Sequence, residues 1–148
     1  MPQPKTNMVG DLVDLIESEF EAGDVDTDRL VIAKSDDIGK GRDLATYDYI
    51  EMSQTSPLGI PYADLFRSSQ DVNTVVFVEL KTSNEDRREE LFAEFRRIVE
   101  EHDTRPDTPG DHDGMSLQDI TPLDDDNFGA YLYEIVVAFN SYARKKGA

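Results

Sequence analysis

Two charged side chains, two positions apart, end the most apolar segment of the chain. Residues 74–81 read TVVFVELK, and Glu79 and Lys81 carry its charges. Side chains at alternate positions of a strand point to the same face, so we expect these two to project together. A carboxylate can hold Mg²⁺ through its oxygens, and a nearby lysine can polarise the water that attacks a phosphodiester. The pair therefore predicts, as one alternative, metal-assisted hydrolysis.

This Glu-x-Lys at a strand end resembles the arrangement in metal-dependent nucleases of the restriction-enzyme type. The resemblance implies a second carboxylate on the preceding strand, and Asp48 is the candidate. Asp64 lies in an irregular segment and Asp71 leaves little room for a hairpin. A three-residue motif is also common by chance. A nuclease that uses Asp48, Glu79 and Lys81 is therefore the alternative interpretation, and a non-enzymatic role is the main one.

The residues that follow the pair have a structural explanation. Thr82-x-x-Glu85 fits a capping box, with Thr82 or Ser83 as the cap of a helix that runs to about Glu101. The expected buried stripe is Leu91, Phe92, Phe95, Ile98 and Val99, and the expected solvent side carries Arg87, Arg88, Arg96 and Arg97. On this interpretation Glu79 and Lys81 screen each other at the end of a scaffold strand.

The other periodic segments predict the fold class. Apolar residues at helical spacing predict a helix near 9–20, and short β-prone runs predict strands at 29–34, 46–53, 74–81 and 131–142. With the helix at 82–101, the order is α-β-β-β-α-β. We therefore expect one α+β domain over residues 1–148, with two helices packed on a mixed sheet. The predicted long loops are about 54–72 and 103–128, the second attached to the body by Leu117, Ile120 and Leu123.

Acidic residues dominate the composition. The net charge is −17, and aspartate outnumbers glutamate 20 to 12. Screening in about 0.1 M salt reaches roughly 10 Å, so such a chain repels itself unless salt is high. The composition indicates a protein from a halophile, and it disfavours sequence-specific nucleic-acid binding, which needs clustered Lys and Arg. There is no cysteine, no bilayer-length apolar run and no signal-like N-terminus, so we expect a soluble, non-exported protein.

No cofactor or metal site is predicted. The acidic runs at 111–113 and 124–127 lack the spacing of a helix-loop-helix calcium site and are expected to be solvated loop acids. His102 is expected to end the long helix, where its imidazolium would suit the helix dipole. Glycine-rich phosphate loops and serine-nucleophile motifs are absent from the sequence.

The segment 56–69, SPLGIPYADLFRSS, is more apolar than a free loop should be. Its prolines forbid a central strand, and long irregular segments are often functional or ordered by assembly. We weigh two roles for its apolar side chains: covering the domain's own core, or contacting another subunit. The candidate contact residues are Leu58, Ile60, Tyr62, Leu65 and Phe66.

Three segments together resemble the tail-completion or tail-terminator proteins of tailed viruses. They are VGDLVDLIESEF, then VVFVELKTSNEDRREELFAEFRRIVEEH, and finally YLYEIVVAFNSYARK after a long loop. The resemblance implies a structural protein that forms a ring, usually hexameric, in the virion tail or neck. Its implied partners are the tail-tube protein and the head-connector proteins.

With the halophile composition, the resemblance points to a tailed virus of a haloarchaeon. Such a protein would be made in the host cytoplasm, would need no membrane, and would let DNA slide through an acidic ring that does not grip phosphates. A small adaptor or host-encoded domain is a third interpretation that stays open.

Overall fold

Five strands and two long helices make up the computed structural model, which describes residues 8–38, 41–54, 71–104, 106–124 and 129–142. The helices are α1 (Met8–Ala22), α2 (Ser35–Ile38) and α3 (Glu85–Glu101). The strands are β1 (Leu30–Lys34), β2 (Asp48–Ser53), β3 (Asp71–Thr82), β4 (Gly114–Pro122) and β5 (Tyr131–Tyr142). A 3₁₀ turn, Pro109–Asp111, precedes β4.

The strands form one mixed sheet in the order β1-β2-β3-β5-β4. β1 and β2 are parallel, and the other neighbours are antiparallel. β3 lies at the centre and pairs with β5 from Asp71↔Tyr142 to Thr82↔Tyr131. A central position explains why both faces of β3 are apolar from Val75 to Val78. The predicted α+β class is confirmed.

One face of the sheet is covered by α1 and α3. The apolar stripe of each helix packs on alternate residues of β2, β3 and β5. The fully buried residues of this core include Leu12, Ile16, Phe20, Ile50, Val78, Leu80, Leu91, Phe95, Ile135 and Phe139. We call this side of the sheet the helix face.

The side of the sheet that α1 and α3 do not cover, which we call the open face, has a smaller apolar cluster. Val75, Phe77, Val136 and Ala138 form it on β3 and β5, and each is at most 7% exposed. Toward the C-terminal end of β3 the same face becomes charged, beginning at Glu79. The candidate site residues Glu79 and Lys81 lie where this face changes from apolar to charged.

The start of α3 differs from the predicted capping box. Asn84 is the N-cap, and its side-chain oxygen accepts a hydrogen bond of 2.9 Å from the backbone N–H of Arg87. Thr82 is still part of β3, and its hydroxyl bonds to Asp48 instead. The prediction of Thr82 or Ser83 as the cap was therefore wrong, because strand pairing extends to Thr82 and moves the cap to Asn84.

A strand lies inside the predicted loop 103–128. β4 pairs with β5, but a bulge between Leu117 and Asp119 breaks the alternation that would have indicated a strand. Leu117 packs against the core as predicted. Ile120 and Leu123 attach the segment to β5 through their backbones, Ile120 opposite Ile135 and the Leu123 N–H bonded to the Leu132 carbonyl, while they are 40% and 47% exposed. β4 is an edge strand, and its second half, residues 118–122, is exposed.

Arg88 is buried instead of lying on the solvent side of α3. It is 6% exposed, and its guanidinium lies 4.4 Å from the centre of the Tyr133 ring. It also forms an ion pair with Asp124. The aromatic face and the carboxylate together compensate for the removal of this cation from water.

The apolar segment with Leu58, Ile60, Tyr62, Leu65 and Phe66 lies outside the described residues. Its predicted contacts therefore stay predictions. No helix within the described ranges is both long and apolar enough to cross a membrane.

Candidate functional site

The structure separates the three residues of the nuclease alternative. Glu79 and Lys81 lie together on the open face, with Lys81 Nζ 3.4 Å from Glu79 Oε2. Asp48 begins β2 and shares the parity of Ile50, which lies in the core under the helices. Its carboxylate bonds to Arg87 of α3, on the helix face. The sheet therefore lies between Asp48 and the Glu-x-Lys pair.

Glu51, and not Asp48, is the carboxylate that joins the pair. Glu51 is directly opposite Glu79 in the pairing of β2 with β3. Lys81 Nζ lies 3.0 Å from Glu51 Oε2. Arg42 donates from Nη2 to Oε1 at 2.8 Å and from Nε to Oε2. Both oxygens of Glu51 thus already contact cations, which would compete with Mg²⁺ for them.

The protonation equilibrium of Glu51 reflects these contacts. Its side chain is 2% exposed, and burial alone would raise the pKa of the carboxyl. Hydrogen bonds from Arg42 and Lys81 outweigh burial, so the net effect is a lowered pKa. The bond to Glu51 likewise raises the pKa of Arg42, against the effect of burial. Glu51 is therefore held as a carboxylate between two cations, unlike a general base that must accept a proton.

Three glutamates form a row across the open face, which we call the carboxylate row: Glu51, Glu79 and Glu134. Glu79 faces Glu51 on one side and Glu134 on the other. Residues directly opposite each other on neighbouring strands have Cβ atoms only about 4.5–5.5 Å apart, so like charges there repel. Lys81 and Arg42 offset this repulsion. No local signal in the sequence marks the row, because it depends on the register of three strands.

Asp48 has its own set of partners on the helix face. The Thr82 hydroxyl donates to Oδ1 at 2.7 Å, and Arg87 Nε donates to Oδ2 at 3.0 Å. Arg29 lies 4.0 Å away. Burial would lower the pKa of Arg87, but its bonds to Glu90 and Asp48 raise it overall.

These residues line an open groove of about 660 Å³ at the N-terminal end of α3. Both oxygens of Asp48 are engaged by donors, so its carboxylate ties β2 to β3 and α3. These bonds indicate a structural role for Asp48. A catalytic carboxylate needs an oxygen that can reach its substrate.

The two histidines occupy different environments. His112, from the acidic run 111–113, is 1% exposed, and its ring centre lies 5.4 Å from that of Phe139 in the core. A solvated loop was therefore the wrong expectation for His112. His102 follows α3 as its C-cap, as predicted, and its ring nitrogen Nδ1 lies 2.9 Å from the carbonyl oxygen of Ile98.

Comparison with known proteins gives a fold likeness and no family. No protein-family model matches the chain, and no curated protein matches it. Among solved structures, the chain is similar to one from the virion of a native gene transfer agent (GTA) particle, with a TM-score of 0.51 and 8% sequence identity. The match covers 94% of this chain and 100% of that chain. At this identity the likeness concerns the fold.

Proposed function

We propose that this protein is a structural subunit of a virion or virion-like particle. The observation that carries the proposal is the fold likeness to a virion chain, which extends over 94% of this chain and all of the other. The buried carboxylates support it from a second direction. Asp48 and Glu51 are bonded to cations or hydroxyls through both oxygens, as in a scaffold.

Within this class we propose the role of a tail terminator or tail-completion subunit, acting in a hexameric ring between the tail tube and the head connector. The segments that resemble such proteins are α1, β3 with α3, and β5, which together build the core. The net charge of −17 supports a ring through which DNA slides, and a halophilic host. The proposed subunit contacts remain Leu58, Ile60, Tyr62, Leu65 and Phe66.

The direct test is the mass and shape of the particle in solution. The protein is purified in about 1 M KCl, where the screening length is about 3 Å, and is studied by light scattering and negative-stain imaging with and without tail-tube protein. We expect closed rings. A protein that stays monomeric under all of these conditions would refute the proposal that it forms a ring.

The proposed contacts can be tested separately with charge-matched variants. We expect Leu65→Asp and Phe66→Asp to abolish the ring while the far-UV circular dichroism is unchanged. Leu123→Asp is the matched control, since Leu123 is 47% exposed and lies at the end of β4. Rings that survive both loop substitutions would place the subunit interface elsewhere.

The nuclease alternative predicts a different result. Incubation with Mg²⁺ and linear DNA should leave the DNA intact if the protein is structural. Metal-dependent cleavage that is lost in Glu79→Ala and in Lys81→Ala would overturn the structural proposal.

A further inference from the structure

Three metal-ligating side chains meet where the C-terminal ends of α1 and α3 come together. They are Glu19, Glu101 and His102, and one ligand atom from each lies within 4.8 Å of the others. His102 Nε2 is 3.9 Å from Glu19 Oε1. The cluster shares no residue with the carboxylate row and does not depend on the proposed function.

The hydrogen bond of His102 determines which ring nitrogen faces the carboxylates. Nδ1 lies 2.9 Å from the carbonyl oxygen of Ile98, which can only accept, so Nδ1 carries a proton. In the neutral imidazole the lone pair is then on Nε2, which points toward Glu19. A histidine whose other nitrogen donates to a backbone carbonyl is the usual arrangement of a metal ligand, because that bond sets both the tautomer and the ring orientation.

The side chains around the cluster carry a net negative charge. Arg97 donates to both oxygens of Glu94, from Nε at 2.7 Å and from Nη2 at 3.0 Å. It also donates from Nη1 to Glu101 Oε2 at 2.7 Å. Arg97 thus neutralises part of the charge of Glu94 and Glu101, and together with Glu19 these groups carry a net charge of −2. A divalent cation would balance that charge.

We propose that Glu19, Glu101 and His102 bind a divalent transition metal, with Zn²⁺ the best match to one imidazole nitrogen and two carboxylate oxygens. Water would complete the coordination. Bond lengths of about 2.0–2.1 Å in a tetrahedral site place ligand atoms about 3.3 Å apart, so separations of up to 4.8 Å must shorten by as much as about 1.5 Å. Glu101 is exposed and can supply that movement. The bound ion would join α1 to α3. This proposal differs from the expectation, drawn from the sequence, that the chain has no metal site.

The test is metal titration of the whole chain in about 1 M KCl, where non-specific attraction of cations to an acidic surface is screened. After removal of metal with EDTA, Zn²⁺ binding is measured by calorimetry and Co²⁺ binding by visible absorption. We expect one ion per chain, and an absorption band typical of tetrahedral Co²⁺. Glu19→Gln and His102→Gln should each weaken Zn²⁺ binding at least about tenfold, since even partners that only orient a ligand contribute 10–100-fold.

Glu17→Gln is the matched control for Glu19→Gln, because Glu17 is exposed on the same helix and the two substitutions change the net charge equally. It should bind Zn²⁺ like the unmodified protein, and circular dichroism should show all three variants folded before titration. Equal binding by all variants would overturn the proposal. So would a protein that binds no Zn²⁺ but is destabilised by His102→Gln, since His102 would then serve only as an imidazolium paired with Glu19.

Discussion

Asp48 and Glu51 lie three positions apart on β2, and each is 2% exposed, yet they face opposite sides of the sheet. Asp48 on the helix face has a hydroxyl and one close cation, from Thr82 and Arg87. Glu51 on the open face has two close cations, Arg42 and Lys81. Each carboxylate is buried and has two close partners, but Asp48 has one cation and Glu51 has two.

The difference shows how each face of the sheet stabilises a buried charge. On the helix face, α3 supplies Arg87 next to a strand hydroxyl, so the carboxylate connects three elements. On the open face, the cations come from the segment before β2 and from the neighbouring strand, and they also offset the carboxylate row. In both places each oxygen of the buried carboxylate contacts at least one donor. The following predictions test this comparison.

The largest effect is expected when Glu51 loses both cations. The double variant Arg42→Met/Lys81→Met leaves a buried, uncompensated charge and should lower the free energy of unfolding by about 3–5 kcal/mol, measured by urea denaturation in high salt. The double variant Lys34→Met/Arg96→Met removes the same charge at positions that do not contact Glu51 and should cost less than about 1 kcal/mol. Equal losses in the two variants would show that net charge, and not the Glu51 contacts, sets the stability.

A smaller effect is expected on the helix face. Arg87→Met removes the close cation of Asp48 but leaves the bond from Thr82, so the expected loss in unfolding free energy is about 2–3 kcal/mol. The same denaturation measurement applies. Arg96→Met is the control on the outer side of α3, since Arg96 pairs with the exposed Glu100. A loss no greater than that of the control would mean that Asp48 does not depend on Arg87.

The protonation of Glu51 predicts a pH dependence. Because its pKa is lowered in the folded protein, Glu51 stabilises the fold above its usual value of 4.5 and loses this contribution as the pH falls through the lowered pKa. Glu51→Gln should therefore cost about 1–2 kcal/mol at neutral pH, and the gap to the unmodified protein should close as the solution is acidified below that value. Urea denaturation across this range measures the gap, and a constant gap would contradict the assignment.

The smallest effect is expected at the helix that carries Arg87. Asn84→Ala removes the N-cap bond to the backbone N–H of Arg87 and should cost about 1 kcal/mol. Ser83→Ala is the matched control, because the capping box is not formed in this structure. A larger loss for Ser83→Ala, measured by thermal unfolding, would restore the predicted cap.

Strong periodicity accounts for what could be predicted of the fold. The alternating run YLYEIVVAFNSY predicts Tyr131–Tyr142 with both bounds as observed, and the stripe of α3 predicts its packing face. β4 was not predicted, because its bulge removes the alternation and its pairing with β5 makes it a strand. Arg88 was assigned to the wet side of α3 because the helix pattern does not show that Tyr133 lies over it.

The candidate site was predictable only in part. Glu79 and Lys81 do lie side by side, as two positions on one strand face must. The carboxylate beside them is Glu51 and not Asp48, because Glu51 is opposite Glu79 in the pairing of β2 with β3. Strand register is a non-local property. The cluster of Glu19 with Glu101 and His102 depends on how two helices pack, so no spacing in the sequence indicates it.

By itself the sequence determined the fold class, the central strand, the face of each long helix and the acidic character, because local periodicity and composition encode them. The tertiary structure decided which charges meet. Strand register placed Glu51 between Arg42 and Lys81, and helix packing brought His102 to Glu19. These contacts join residues distant in the chain, and their energy depends on burial and distance, which exist only once the chain has folded.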